Sequence, residues 1–136
     1  MSTKGTILVA EDNAVIALLM QSDLEGAGYA VLGPFARVAP ALAAAEGTRP
    51  DLALIDVDLA GGDSGADLAR DLAARMDVAC LFVTGQSYDA AKASAHALGA
   101  LGKPVPSNDL LAGVEAALAV AKGGAAPPND GGVAWF

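Results

Sequence analysis

Four short, continuous apolar runs constrain the fold of this 136-residue chain more than any other feature of its sequence. Continuous apolar runs, rather than alternating ones, are typical of strands in a parallel sheet that is covered on both faces. A fifth, shorter strand is predicted at the ALG segment just before Lys103. The four longer runs are residues 6–10 (TILVA), 29–33 (YAVLG), 51–56 (DLALID) and 78–84 (VACLFVT).

Segments with helical spacing of apolar residues lie between these runs, so that strands and helices alternate. The first predicted helix, 14–27, takes Val15, Leu18, Leu19 and Leu24 as its apolar residues. Five repeats of strand and helix, joined by right-handed crossovers, predict an α/β fold. The expected class is a flavodoxin-like, doubly wound, five-stranded parallel sheet of order 2-1-3-4-5. The other predicted helices are 37–46, 64–75 (capped by Ser64), 88–98 and 107–121 (capped within SNDLL).

Composition excludes several classes of function and partner. The net charge of -8 argues against nucleic acid and against an anionic membrane surface. The single cysteine, Cys80, excludes an internal disulfide and is expected to be a core residue. No apolar run is long enough to span a bilayer, and the first residues do not resemble a signal peptide, so we predict a cytoplasmic protein. We expect a folded domain over residues 1–122 and a flexible tail over 123–136, and whether its last residues, VAWF, dock is left open.

Polar side chains follow the predicted strands at the edge of the sheet where such folds bind ligands. Glu11 and Asp12 follow the first strand, Asp56 ends the third, Thr84 ends the fourth and Lys103 follows the fifth. Each residue alone has an ordinary interpretation. The two acids at 11 and 12 favour the N-terminus of the following helix, the threonine is a common strand residue, and the lysine suits a surface. Their joint placement at one edge favours a shared site.

The proximity of several carboxylates in that site predicts a cation. Carboxylates held close together repel, so they raise one another's pKa or bind a metal ion. All-oxygen ligands suit Mg²⁺ better than zinc, and no other cofactor is predicted. With Mg²⁺ held by Asp12 and Asp56, the Asp56 carboxylate is placed to attack phosphorus and form an aspartyl phosphate. Lys103 and the Thr84 hydroxyl are then expected to bind phosphoryl oxygens.

The residues quoted above resemble the receiver domain of two-component response regulators. ILVAEDN, LALIDVDLAGGDSG, LFVTG and GKPV follow one another in that family's order, and the resemblance spans residues 6 to 121. It implies that Asp56 is the phosphoacceptor and that Glu11 and Asp12 are the acidic pair at the Mg²⁺ ion. It also implies that the main-chain carbonyl of Asp58 is a further metal ligand. Thr84 and Lys103 are then the switch hydroxyl and the phosphate-binding lysine.

Two departures from the family pattern point to a subgroup. The segment before Lys103 has no aromatic residue, and Gly85 follows Thr84 where alanine is usual. Both features resemble the single-domain Phe-x-Thr-Gly-x-Tyr (FATGUY) subgroup, although here the stretch reads FVTGQSY, with Tyr88 one residue late.

The resemblance implies a histidine kinase or histidine phosphotransfer protein as the phosphodonor partner. His96 is the only histidine and is expected to be solvated, so the donor histidine must come from another protein. We expect a stand-alone receiver that catalyses only its own phosphorylation and dephosphorylation. Its output would be a downstream protein contact, a phosphorelay shuttle or a phosphate sink.

Two rival functions stay open at this point. LIDVDLAGG also resembles the Asp-x-Asp motif of haloacid dehalogenase-type phosphatases, but that family places its motif on the first strand. A binding module that has lost phosphorylation is the other alternative, and the presence of all five site residues gives it no support.

Overall fold

The computed structural model describes residues 3–85, 96–127 and 132–136, and it forms a three-layer α/β sandwich. Five parallel strands run in the order β2-β1-β3-β4-β5, and a short sixth strand, β6, pairs antiparallel with β5. The predicted flavodoxin-like order is therefore confirmed. The strands are β1 (Thr6–Ala10), β2 (Ala30–Phe35), β3 (Leu52–Ile55), β4 (Cys80–Thr84), β5 (Gly99–Gly102) and β6 (Ala134–Trp135).

Helices cover both faces of the sheet and bury its apolar runs. α2 (Val38–Gly47) and α3 (Gly65–Met76) pack on one face, and α1 (Ala14–Gly26) and α4 (Ser107–Ala121) pack on the other. Adjacent residues of one strand enter opposite clusters, which is why the strands are apolar throughout. Residues 88–95 of the predicted helix over 88–98 lie outside the described residues, and residues 96–98 are not helical. Within the described residues, no helix combines the length and the apolar character needed to cross a membrane.

α1 buries a different stripe from the one that its leucines suggested. Asn13 begins the helix, because its side chain accepts hydrogen bonds from the main-chain N–H groups of Val15 and Ile16. The buried residues are Ala17, Met20 and Leu24, whereas Val15, Leu18 and Leu19 are exposed. Of the four predicted apolar positions, only Leu24 faces the core. The other three form an apolar surface patch, which is called the α1 patch below.

The N-terminus of α4 also differs from the prediction. Pro106 occupies the cap position and no side chain caps the helix. The Ser107 hydroxyl instead donates a hydrogen bond to the Asp23 carboxylate of α1, at 2.8 Å. The predicted cap within SNDLL is therefore absent, and Ser107 instead joins two helices on the same face of the sheet.

The last residues of the chain do not form the flexible tail that composition suggested. Ala134 and Trp135 pair with β5, and Val133 is buried against the core cluster on the α1 and α4 face. The prediction of a flexible segment to residue 136 is therefore wrong for its final residues. Their apolar side chains gain more by burial against β5 than composition alone indicates.

Cys80 lies on β4 and is fully buried, as predicted, and burial raises the pKa of its thiol to about 12. Because the thiolate is the reactive form, we expect no labelling of the native protein by a thiol reagent at mildly alkaline pH. Labelling should become complete once guanidinium unfolds the chain. The labelling is measured by the absorbance of the thiolate that the reagent releases. Fast labelling of the native protein would contradict this placement.

Candidate functional site

The carboxyl ends of β1 and β3 bring together the three acids that the sequence singled out. Ala10 and Ile55 are partners in the parallel ladder, so Glu11 and Asp56 leave the two strands side by side. Carboxylate oxygens of Glu11, Asp12 and Asp56 all lie within 4.8 Å of one another. Glu11 and Asp56 are buried, and Asp12 is exposed at the mouth of the cluster. The predicted acidic cluster therefore forms, with one member open to solvent.

Lys103 reaches this cluster from the end of β5. Its Nζ donates hydrogen bonds to the Glu11 carboxylate and to Asp56 Oδ2, the latter at 2.7 Å. Its main-chain N–H donates to the carbonyl of Thr84 at 2.9 Å, which ties the lysine to the end of β4. Thr84 is buried and pairs with Gly102. The structure thus gathers the predicted lysine, threonine and acids at the carboxyl ends of the strands.

The ionisation of the cluster follows from burial and from these hydrogen bonds. Burial raises the pKa of Glu11 to about 7, and the neighbouring Asp56 adds to this effect against the opposing effect of Lys103. Burial also acts to raise the pKa of Asp56, but hydrogen bonds from Glu11, Lys103 and the Asp58 N–H outweigh it, so this pKa is lowered. The pKa of Lys103 is raised, because its hydrogen bonds to the two carboxylates outweigh burial. At neutral pH, Asp56 is therefore an ionised carboxylate beside a protonated lysine.

Asp58 contributes its main chain to this site. Its N–H donates a hydrogen bond to Asp56 Oδ1 at 3.0 Å, which orients the Asp56 carboxylate. The Asp58 residue is exposed, and its side chain is not among the three carboxylates of the cluster. The predicted ligation of a metal through its main-chain carbonyl stays a prediction.

Asp63 holds the loop that follows Asp56, a role that the sequence did not reveal. Its carboxylate accepts a hydrogen bond from the main-chain N–H of Val38 at 2.9 Å and one from Arg37 at 3.4 Å. The Val38 hydrogen bond first, and then the Arg37 contact, lower the pKa of Asp63. Its own carbonyl accepts from the Leu59 N–H. The only sequence signal was an acid between the glycine pair and the helix cap Ser64.

Gly65 lets the first turn of α3 approach the Asp56 main chain. A Cβ atom at this position would lie 1.9 Å from the Asp56 carbonyl oxygen, far inside van der Waals contact. The adjacent Ser64 side chain caps the helix by accepting from the Asp67 N–H. This close approach requires glycine at position 65. The contact holds the main chain of Asp56 against α3.

Comparisons with known proteins agree with this arrangement. The family model for the response regulator receiver domain matches residues 7–115. The regulator PhyR of Methylorubrum extorquens is 38% identical over 79 residues, which are 57% of this chain and 30% of PhyR. The DNA-binding transcriptional activator DevR/DosR of Mycobacterium tuberculosis is 41% identical over 96 residues, which are 70% of this chain and 42% of that protein. The chain thus spans less than half the length of either curated relative.

A solved structure extends the likeness to most of the chain. The signal receiver domain of a modulated diguanylate cyclase from Desulfovibrio desulfuricans superposes with a TM-score of 0.79 at 32% identity. The match covers 87% of this chain and 96% of that domain. The phosphatase alternative is not favoured by these relatives, and Tyr88, which would bear on the subgroup, lies outside the described residues. This chain belongs to the response regulator receiver domain family of two-component systems.

Proposed function

We propose that Asp56 accepts a phosphoryl group from a histidine of a kinase or phosphotransfer protein. The single observation that supports this most is the contact of Lys103 with both Glu11 and Asp56 at the carboxyl edge of the sheet. Together with the hydrogen bond from Glu11, this contact keeps the buried Asp56 carboxylate ionised without a separate base. The same lysine is positioned to bind an oxygen of the incoming group.

The acidic cluster fits a divalent cation of the Mg²⁺ class. Glu11, Asp12 and Asp56 offer only oxygen ligands, and their oxygens lie close enough to share one ion. When bound, Mg²⁺ would neutralise negative charge on the phosphoryl oxygens. Asp12 is the exposed member of the cluster, so it faces the side from which a hydrated ion arrives.

In this proposal, each residue of the site has its own role in the transfer of the phosphoryl group. An oxygen of the Asp56 carboxylate attacks phosphorus while the bond from phosphorus to the donor breaks and the donor keeps the electron pair. The Asp58 N–H holds the attacking carboxylate in place, and Lys103 stabilises charge on a phosphoryl oxygen. The Thr84 hydroxyl is proposed to bind a second phosphoryl oxygen. In this proposal the chain catalyses only its own phosphorylation and dephosphorylation.

The α1 patch favours a protein as the donor. Leu18 is 66% exposed and Leu19 60% exposed, and Leu19 also lines a groove that runs to Lys103 and Pro104. Apolar side chains that protrude beside a reactive site are typical of a protein-docking surface. His96 is exposed and precedes β5. It therefore lies toward the amino ends of the parallel strands, whereas Asp56 lies at their carboxyl ends. A histidine supplied by another protein fits both observations.

The output we propose is a protein contact, a phosphoryl shuttle or a phosphate sink, by a receiver that works as a stand-alone domain. The net charge of -8 speaks against direct contact with nucleic acid. Ala134 and Trp135 return to the sheet and pair with β5. The cytoplasmic location stays a prediction.

The proposal is tested by the intact mass of the protein after incubation with acetyl phosphate, with Mg²⁺ and with a chelator in its place. We expect a single phosphoryl adduct that requires the cation, because the cluster alone would repel an anionic donor. If no adduct is seen, release of inorganic phosphate is measured over time. Absence of both the adduct and Mg²⁺-dependent phosphate release would contradict the proposal, and sustained turnover of a phosphomonoester would favour a phosphatase.

A further inference from the structure

The last four residues occupy the edge of β5 that faces away from β4, and no other described strand pairs with this edge. Gly99 pairs with Trp135 and Ala100 pairs with Ala134 in an antiparallel ladder. The Phe136 N–H donates to the carbonyl of Leu98 at 2.9 Å and extends the pairing by one residue. An extended segment of protein therefore already binds to this edge through its main chain.

Two glycines shape the edge to fit this segment. A Cβ atom on Gly99 would lie 2.5 Å from the Ala134 carbonyl oxygen and 2.9 Å from the Val133 side chain. A Cβ atom on Gly113 of α4 would lie 2.9 Å from another methyl group of Val133. Val133 is only 6% exposed in the slot between them. The edge thus accepts a branched aliphatic side chain at one position and an aromatic side chain two positions later.

The docked segment is small and is joined to the domain by a short linker. β6 contains two residues, so few main-chain hydrogen bonds hold it, and each contributes about 1 kcal/mol net. Residues 123–132 are mostly glycine, alanine and proline and connect it to the end of α4. For short linkers the local concentration of the tethered segment is on the order of millimolar.

We propose that the β5 edge is a binding site for an extended segment of a partner protein and that residues 133–136 fill it in competition. The expected partner segment carries a branched aliphatic residue, then a small residue, then an aromatic residue, as Val133, Ala134 and Trp135 do. Strand addition to a sheet edge is a general mode of peptide recognition, with main-chain pairing for affinity and alternate side chains for specificity. This proposal goes beyond the phosphoryl chemistry and does not depend on it.

The test compares wild type with two full-length variants that release the tail in different ways. Val133→Asp places a charge in the apolar slot, so it releases the tail and leaves the edge intact. Gly99→Ala also releases the tail, but its Cβ blocks the edge, and all of the nearest atoms to that Cβ belong to residues 133–135. Trp135 is the only tryptophan, so a red shift of its emission reports release in each variant.

Binding is measured by the anisotropy of a dye-labelled GVAWF peptide. We expect Val133→Asp to bind it at least about ten-fold more tightly than wild type, because the tethered competitor is gone. Gly99→Ala should bind it no better than wild type, and a GDAWF peptide should bind none of the proteins. Circular dichroism and Asp56 labelling by acetyl phosphate verify folding separately, so failure of the phosphoryl chemistry is distinguishable from failure of this proposal.

Three results would overturn the proposal. The first is equal peptide binding by Val133→Asp and Gly99→Ala, and the second is unshifted Trp135 emission in both. The third is a wild-type dimer in sedimentation that Gly99→Ala dissociates, since the occupant would then be the tail of a second copy. If Val133→Asp does not fold, the same test is made on wild type with peptides that lack tryptophan. Excess GVAFF peptide should displace the tail and red-shift Trp135 emission, and GDAFF should not.

Discussion

Asp56→Asn is expected to take up no phosphoryl group from acetyl phosphate in Mg²⁺, under conditions in which wild type forms one adduct. The substitution keeps the shape of the side chain but replaces an anionic oxygen nucleophile with a neutral amide. It also removes one of the three carboxylates that would share the cation. Lys103 keeps its contact with Glu11, so the fold around the site should persist. Intact-mass spectrometry measures the result.

Asp58→Asn is the matched control, because it removes a carboxylate two residues away and leaves the acidic cluster unchanged. Asp58 is exposed and acts on Asp56 through its main-chain N–H, which the substitution retains. Its adduct should therefore form. An adduct of equal yield in Asp56→Asn would show that another residue accepts the phosphoryl group, and peptide mapping would then identify it.

Gly65→Ala is expected to lower the free energy of unfolding by about 3 kcal/mol. The new methyl group would meet the Asp56 carbonyl oxygen at 1.9 Å, and also the Ile55 side chain at 2.8 Å. Main-chain atoms give way less readily than the end of a flexible side chain, so either α3 or the end of β3 must shift. Because that shift moves Asp56, labelling by acetyl phosphate should fall as well. Denaturant titration followed by circular dichroism measures the stability.

Gly47→Ala provides the control for the glycine substitution itself. Gly47 is the last residue of α2, and a Cβ atom added to it would meet no atom of another segment within 4 Å. Alanine is the better helix former, so this variant should be within about 0.5 kcal/mol of wild type or more stable. Equal stability of the two variants would mean that α3 does not rest against the Asp56 carbonyl.

The order of the sheet and the members of the site were predictable because each depends on a pattern along one strand. Continuous apolar runs indicate strands that are buried on both faces. The carboxyl ends of parallel strands lie at the same end of the sheet, whatever the conformation of the loops. That rule alone placed Glu11, Asp56, Thr84 and Lys103 together. The Asn13 cap of α1 is also a local feature, because its side chain acts within three residues of itself.

Features that depend on contacts between distant segments were not predictable. Val15, Leu18 and Leu19 follow helical spacing, as Ala17, Met20 and Leu24 do, and only the packing of α1 decides which set is buried. The same limit applies to Asp63, whose partner is a main-chain N–H that precedes it by 25 positions. For the C-terminal strand, the missing information was the slot that Gly99 and Gly113 form together. Neither glycine indicates such a slot in its own segment.

Both outer strands of the five-stranded parallel sheet are modified in ways that bear on solubility. β2 carries Pro34, which has no N–H to offer to another strand, and β5 is covered by β6. An uncovered strand edge is a template for pairing with other molecules and hence for aggregation. The C-terminal strand therefore also protects the protein from edge-to-edge assembly at high concentration.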